Sequence, residues 1–90
     1  MVLKIEQITC KRGTRIRLSG EFRSEHLDQV KAEIGRGGRR VALDLAEVNL
    51  VDLESVRFLN TCEAKGISVL HCSPYIREWM SQERSRPKDA

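Results

Sequence analysis

Ninety residues suffice for one domain and not two. With aromatics at only 4%, the core must be aliphatic, which leaves little for an aromatic cage or a base-stacking platform. Sixteen basic against 13 acidic residues, a net charge of +3, describe a mixed solvated surface and not a polycation.

Val2 to Ile8 alternates weakly, with Leu3 and Ile5 on one side and Lys4 and Glu6 on the other. This predicts a strand, guarded by charge if it lies at an edge. Cys10-Lys11-Arg12-Gly13 reads as a hairpin turn, Gly13 being free to take a positive φ. Thr14 to Ser19 alternates cleanly, with Ile16 and Leu18 inward and Arg15, Arg17 and Ser19 outward. Gly20-Glu21-Phe22-Arg23 is expected to lead out of that strand. Ser24 is then placed as an N-cap with Glu25 in the first turn. Leu27, Val30 and Ile34 mark the buried face of the helix, and Gly35-Arg36-Gly37-Gly38 ends it. His26 is expected to be solvated.

Val41 to Cys72 is the stretch around which the rest is organised. Val41, Leu43 and Leu45 alternate with Ala42 and Asp44, as in a strand with one face buried, and AEVNLVD is read as the connecting loop. Asp52 stands where an N-cap belongs, and Glu54 follows in the first turn. Val56, Leu59 and then Cys62 or Glu63 continue at helical spacing until Gly66. Ile67 to Leu70 supplies another strand. Ser73-Pro74 opens a last helix with Ile76, Trp79 and Met80 on its apolar face. Trp79 suits either the core, the favoured place, or an interface. Residues 1–81 are taken as the domain and 82–90 as a polar, disordered tail.

The order is β-β-α-β-α-β-α. Right-handed crossovers that progress in one direction put the helices mainly on one face of a mixed four-stranded sheet. The other face would meet water and show Arg15, Arg17 and Asp44. The remaining basic residues are scattered: Arg39 and Arg40 flank a loop, and Arg84, Arg86 and Lys88 lie near the C-terminus. A nucleic-acid surface would gather them on one element.

No catalytic or metal chemistry stands out, and no enzyme activity or cofactor is expected. Cys10, Cys62 and Cys72 are an odd count without CxxC spacing, which predicts reduced thiols in a cytoplasmic protein. Cys72 adjoins His71, but strand neighbours point to opposite faces. Cys62, His71 and Cys72 lack the usual zinc spacings. Gly35-Arg36-Gly37-Gly38 lacks the Lys-Ser/Thr ending of a phosphate loop. MVLKIEQIT has no apolar run of the kind a signal peptide needs, and no stretch approaches a membrane span.

Ser19-Gly20-Glu21-Phe22, Val41-Ala42-Leu43-Asp44-Leu45 and Val51-Asp52 together resemble the STAS domain, the fold of bacterial anti-sigma factor antagonists. In that family the second strand ends in a leucine–x–Gly–acidic–apolar run and the third in apolar–Asp–apolar–small. A buried segment then ends in an Asp that opens the next helix. The resemblance extends from about Leu3 to Met80. It implies an α/β fold with a single helix layer, and a function in transcription regulation by protein–protein switching. The implied partner is an anti-sigma factor that is also a serine kinase. It would be met by Glu21, Asp52, Leu53, Glu54, Ser55, Val56 and Leu59.

The family's switch is phosphorylation of a Ser directly after the junction Asp, which adds charge and bulk to a packed interface. Family members often read Asp-Ser-Ser-Gly, whereas this chain reads Asp52-Leu53-Glu54-Ser55. Leucine takes no phosphate, so a module that binds without the usual switch is expected. Leu53 is either an apolar anchor or tucked into its own core. Ser55 is a weaker substitute phosphosite, a local backbone bond being the alternative. Two other partners keep a place: a lipid transport ATPase assembly, as for STAS-like subunits, and nucleic acid, on charge alone.

Overall fold

Leu3–Cys10 forms strand β1, and a two-residue Lys11-Arg12 turn returns the chain antiparallel along β2, Gly13–Phe22. A computed structural model describes residues 3–38 and 40–85. Gly13 has φ +150°, and a Cβ there would collide with the Arg40 carbonyl. The β-carbon is therefore excluded on two counts at the turn where the sequence asks for glycine.

After β2 come a 3-10 turn at Ser24–His26, helix α1 (Leu27–Arg36), strand β3 (Val41–Val51), helix α2 (Leu53–Ala64), strand β4 (Ser68–Leu70) and helix α3 (Pro74–Ser85). The sheet order is β1-β2-β3-β4, with β1 antiparallel and the other neighbours parallel. This is the mixed four-stranded α/β sheet expected from the sequence. Ile16, Leu18, Leu43, Leu45 and Val69 line one face of the sheet, and Val30, Val56, Leu59, Ile76 and Met80 of the three helices meet them in one core.

Several expectations need correction. Glu21 and Phe22 belong to β2, and Phe22 is fully buried. The segment after Leu45 is not a loop, because β3 continues unbroken to Val51. Arg17 and Ser19 pair with Asp44 and Glu47, and Gly20 and Glu21 pair with Val48 and Leu50. At each step β3 spends one more residue than β2, which is a β-bulge. Each bulge moves the inward position on by one, so the buried apolar residues of β3 fall at Leu43, Leu45, Val48 and Val51.

Ser24 is not a side-chain cap. It opens the 3-10 turn, and Arg23 takes the cap position. His26 Nδ1 accepts the Arg23 N–H at 3.1 Å, so His26 is half-buried and engaged. A further correction concerns α3, which runs through Ser85. Glu83 reaches Arg57 of α2 at 3.2 Å, and Arg84 lies 3.7 Å from Glu63. Those cross-helix pairs hold a segment that has no apolar reason of its own to be helical. Residues 86–90 of the expected tail lie outside the described residues, as do Val2 and Arg39.

Candidate functional site

The corner between β3 and α2 is built by Asp52. Val51 is buried at the strand end, and Asp52 keeps extended backbone (φ −114°, ψ 179°) while the helix starts behind it. Its Oδ1 accepts the Ser55 N–H at 2.9 Å, an N-cap bond to one of the orphan donors of the first turn. Its Oδ2 accepts the Ser24 N–H at 2.8 Å. One carboxylate thus ties the β2–α1 connection to the β3–α2 connection. Burial pushes its pKa up, but the Ser24 and Ser55 donors outweigh that, and the carboxyl is held below its ordinary range.

Ser55 supplies a second tie. Its hydroxyl donates to the Phe22 carbonyl at 2.8 Å, and the residue has no exposed surface. Val56 and Leu59 are likewise sealed in the core. These three residues were expected to meet a partner, and the structure uses them to build the corner from beneath. Phosphorylation of Ser55 would require the corner to open, because the hydroxyl faces inward and is already bonded.

The surface of the corner is therefore narrower. Glu54 is exposed, and Asp52, Leu53 and Glu21 are half-buried. Leu53 neither stands fully in solvent nor disappears into the core. Glu21 is 3.1 Å from Arg23, and Glu54 is 3.7 Å from Arg57. Glu21 pairs across the sheet with Leu50, which is 38% exposed, one of the large apolar side chains turned to solvent. Leu50 was missed in the sequence because the second bulge that turns it outward has no local signature. Counting inward positions back from Val51 would have found it.

The corner continues into a groove of about 510 Å3 between α1 and α2, whose lining includes Leu27, Lys31, Ile34, Glu54 and Phe58. The Lys31 ammonium lies 5.9 Å from the centre of the Phe58 ring, within cation–π range. Phe58 meets Phe22 edge-on, with ring centres 6.1 Å apart.

The far face of the sheet holds the largest electrostatic surprise. Asp44 was expected to face water, yet only 1% of it is exposed. Arg15 and Arg17 approach it at 3.9 and 3.8 Å, His71 Nδ1 at 3.1 Å, and the Ala46 N–H donates to it at 3.0 Å. Burial pushes its carboxyl up, but the Ala46 N–H, His71 and Arg17 outweigh that and bring it below the usual range. His71 reaches it with left-handed backbone (φ +56°), beyond the end of β4 rather than within a strand.

Two of the thiols, Cys62 and Cys72, are poorly suited to nucleophilic work. Burial pushes Cys62 up to about 11 and also raises Cys72, and a raised pKa removes thiolate. Cys10 is exposed at the end of β1. Among the described residues, no three His, Cys, Asp or Glu side chains converge as a metal site would need. No helix among them is long and apolar enough to cross a membrane. In comparisons with known proteins, neither a family model nor a curated protein matches this chain.

Proposed function

We propose that this protein is a non-catalytic binding module of the anti-sigma factor antagonist type, acting in the cytoplasm through the β3–α2 corner. The observation that carries the reading is the corner itself. Asp52 fixes a helix start whose surface offers Leu50, Leu53 and Glu54, with leucine where the resemblance would put a modifiable hydroxyl. A half-buried leucine at the helix start and an exposed one at the end of the preceding strand, with Glu54 next to the first in sequence and Glu21 paired with the second, suit a small protein interface with apolar contacts and a polar edge.

The partner class is a regulatory protein of the anti-sigma kinase kind, and control by phosphate at the corner is absent. Ser55 is the nearest hydroxyl in the helix, and its bond to Phe22 keeps it inside. Affinity capture with the wild-type chain, compared with Leu53→Asp, tests the interface. A charge placed at the centre of an interface should reduce capture of the specific partner by about tenfold or more. Unchanged capture by Leu53→Asp would mean that the interface lies elsewhere. Recovery of a transporter ATPase in place of an anti-sigma kinase would replace the partner while keeping the surface. Incubation with the captured kinase and ATP should leave the intact mass unchanged; a phosphate mapped to Ser55 would overturn the absence of a switch.

A further inference from the structure

The opposite end of the sheet has a different character. The β1–β2 turn and the starts of β3 and β4 enclose a hollow of about 380 Å3. Three arginines, Arg12, Arg15 and Arg40, line it, with no carboxylate among its walls. Val41, Ala42 and Leu70 supply an apolar side, and Ser68 a hydroxyl. Arg12 and Arg40 also line a second hollow, of about 350 Å3, which takes in Lys11 and Gly37.

The backbone that brings these cations together is tightly held. The Thr14 N–H donates to the Arg40 carbonyl at 2.8 Å, and the Thr14 hydroxyl donates to the Gly37 carbonyl at 2.9 Å. Gly13 packs so closely on Arg40 that no side chain fits between them. The turn that carries Arg12 and the strand start that carries Arg40 are therefore fixed side by side. Among the described residues, neither Arg12 nor Arg40 has a carboxylate within 4 Å. Arg15 is engaged only at 3.9 Å, by the buried Asp44.

Of the three cations only Arg15 has an internal counter-ion among the described residues, and that a distant one; Arg12 and Arg40 repel their neighbours uncompensated, and an anion placed among them relieves that cost. Guanidinium groups match phosphate oxygens in fork geometry. The volume lies at the small end of the range for small-molecule sites. We infer that this hollow binds a small organic phosphate carrying two or more negative charges, its phosphates on Arg12, Arg15 and Arg40 and its organic part against Val41, Ala42 and Leu70. The site is at the other end of β2 and β3 from the Asp52 corner, and it does not depend on the function proposed there.

Isothermal titration at fixed ionic strength tests it, with adenosine diphosphate, inorganic pyrophosphate and a short single-stranded oligonucleotide as probes. Adenosine diphosphate should bind, and the double variant Arg12→Ala/Arg40→Ala should weaken it by at least about tenfold. The exposed positions of both arginines make the variant foldable, and its melting temperature without ligand should equal or exceed that of the wild type. Lys4→Ala, which removes an exposed cation at the opposite end of β1 from the hollow, should bind as the wild type does. Heat effects that chloride reproduces, or equal binding by the double variant, would overturn the site. Tighter binding of the oligonucleotide than of adenosine diphosphate, through the same arginines, would overturn the small-ligand assignment in favour of a nucleic-acid strand.

Discussion

Replacing Asp52 by Ala should unfasten two chain connections at once. The N-cap bond to Ser55 is worth about 1 kcal/mol by analogy with other capping residues. The bond to the Ser24 N–H is charge-assisted, but Ser24 is exposed and water can replace the lost acceptor, so about 0.5–1 kcal/mol is lost there. The sum is roughly 2 kcal/mol, or some 10 °C in melting temperature for a domain of this size. Asp52→Asn keeps one oxygen acceptor and should cost about half as much. Urea unfolding monitored by circular dichroism measures both.

The same experiment has a pH arm. The folded pKa of Asp52 lies below its unfolded value, so the folded state binds fewer protons between the two. The stabilisation is fully present above the ordinary carboxyl pKa of about 4 and is lost as pH falls through the folded value. Asp44 shifts in the same direction and adds to the acid sensitivity. Asp52→Ala should therefore show a shallower decline in stability below about pH 4 than the wild type. A variant within about 0.5 kcal/mol of wild type at neutral pH, with an unchanged acid limb, would refute the view that this carboxylate holds the corner.

Ser55→Ala leaves the Phe22 carbonyl without its donor in a buried site, and a loss of about 1–3 kcal/mol in urea unfolding is expected; a neutral result would mean that the bond contributes nothing. Trp79 is half-buried against the core, so its fluorescence should be blue-shifted from free indole and only partly quenched by acrylamide. Emission matching free indole would contradict that packing.

The elements legible in the sequence were those whose patterns are local. Ile16 and Leu18 announce β2 by alternation, Asp52 announces α2 by capping, and Ser73-Pro74 announces α3, where the Ser73 hydroxyl lies 3.4 Å from the Ile76 N–H. What escaped depends on distant partners. The second half of β3 carries Leu45, Val48 and Val51 three residues apart, a spacing that fits no strand until both bulges against β2 are counted. Asp44 looks like a water-facing residue by parity, and parity does place it on the open face. Burial comes from Arg15, Arg17 and His71 closing over it, and no local pattern encodes that. Residues 82–85 look like tail because they are polar, yet Glu83 and Arg84 find charges on α2. At the site, the Asp52 cap was legible from its position before the helix, and Leu53, open in the sequence between anchor and core, is half-buried; Ser55, Val56 and Leu59 are expected at the partner surface but lie buried, because they face the sheet from the first turns of α2.

The two ties at the corner set what kind of control the proposed interface can have. Asp52 and Ser55 fasten α2 to both the Ser24 turn and the end of β2, so the surface carrying Leu50 and Leu53 is held before any partner arrives. A preorganised surface loses little conformational entropy on binding. It also resists covalent control, because the one hydroxyl within the first turn of α2 is part of the fastening. Under the proposed function, occupancy would then follow partner concentration and not a modification state. Substituting Leu53 by Ser would restore a hydroxyl at the half-buried position the resemblance designates, without replacing a residue of either tie. If the captured kinase phosphorylates Leu53→Ser and releases it, while leaving the wild type bound, the missing hydroxyl is what separates this module from a switch. If Leu53→Ser is ignored by the kinase, the resemblance at the corner is one of shape alone.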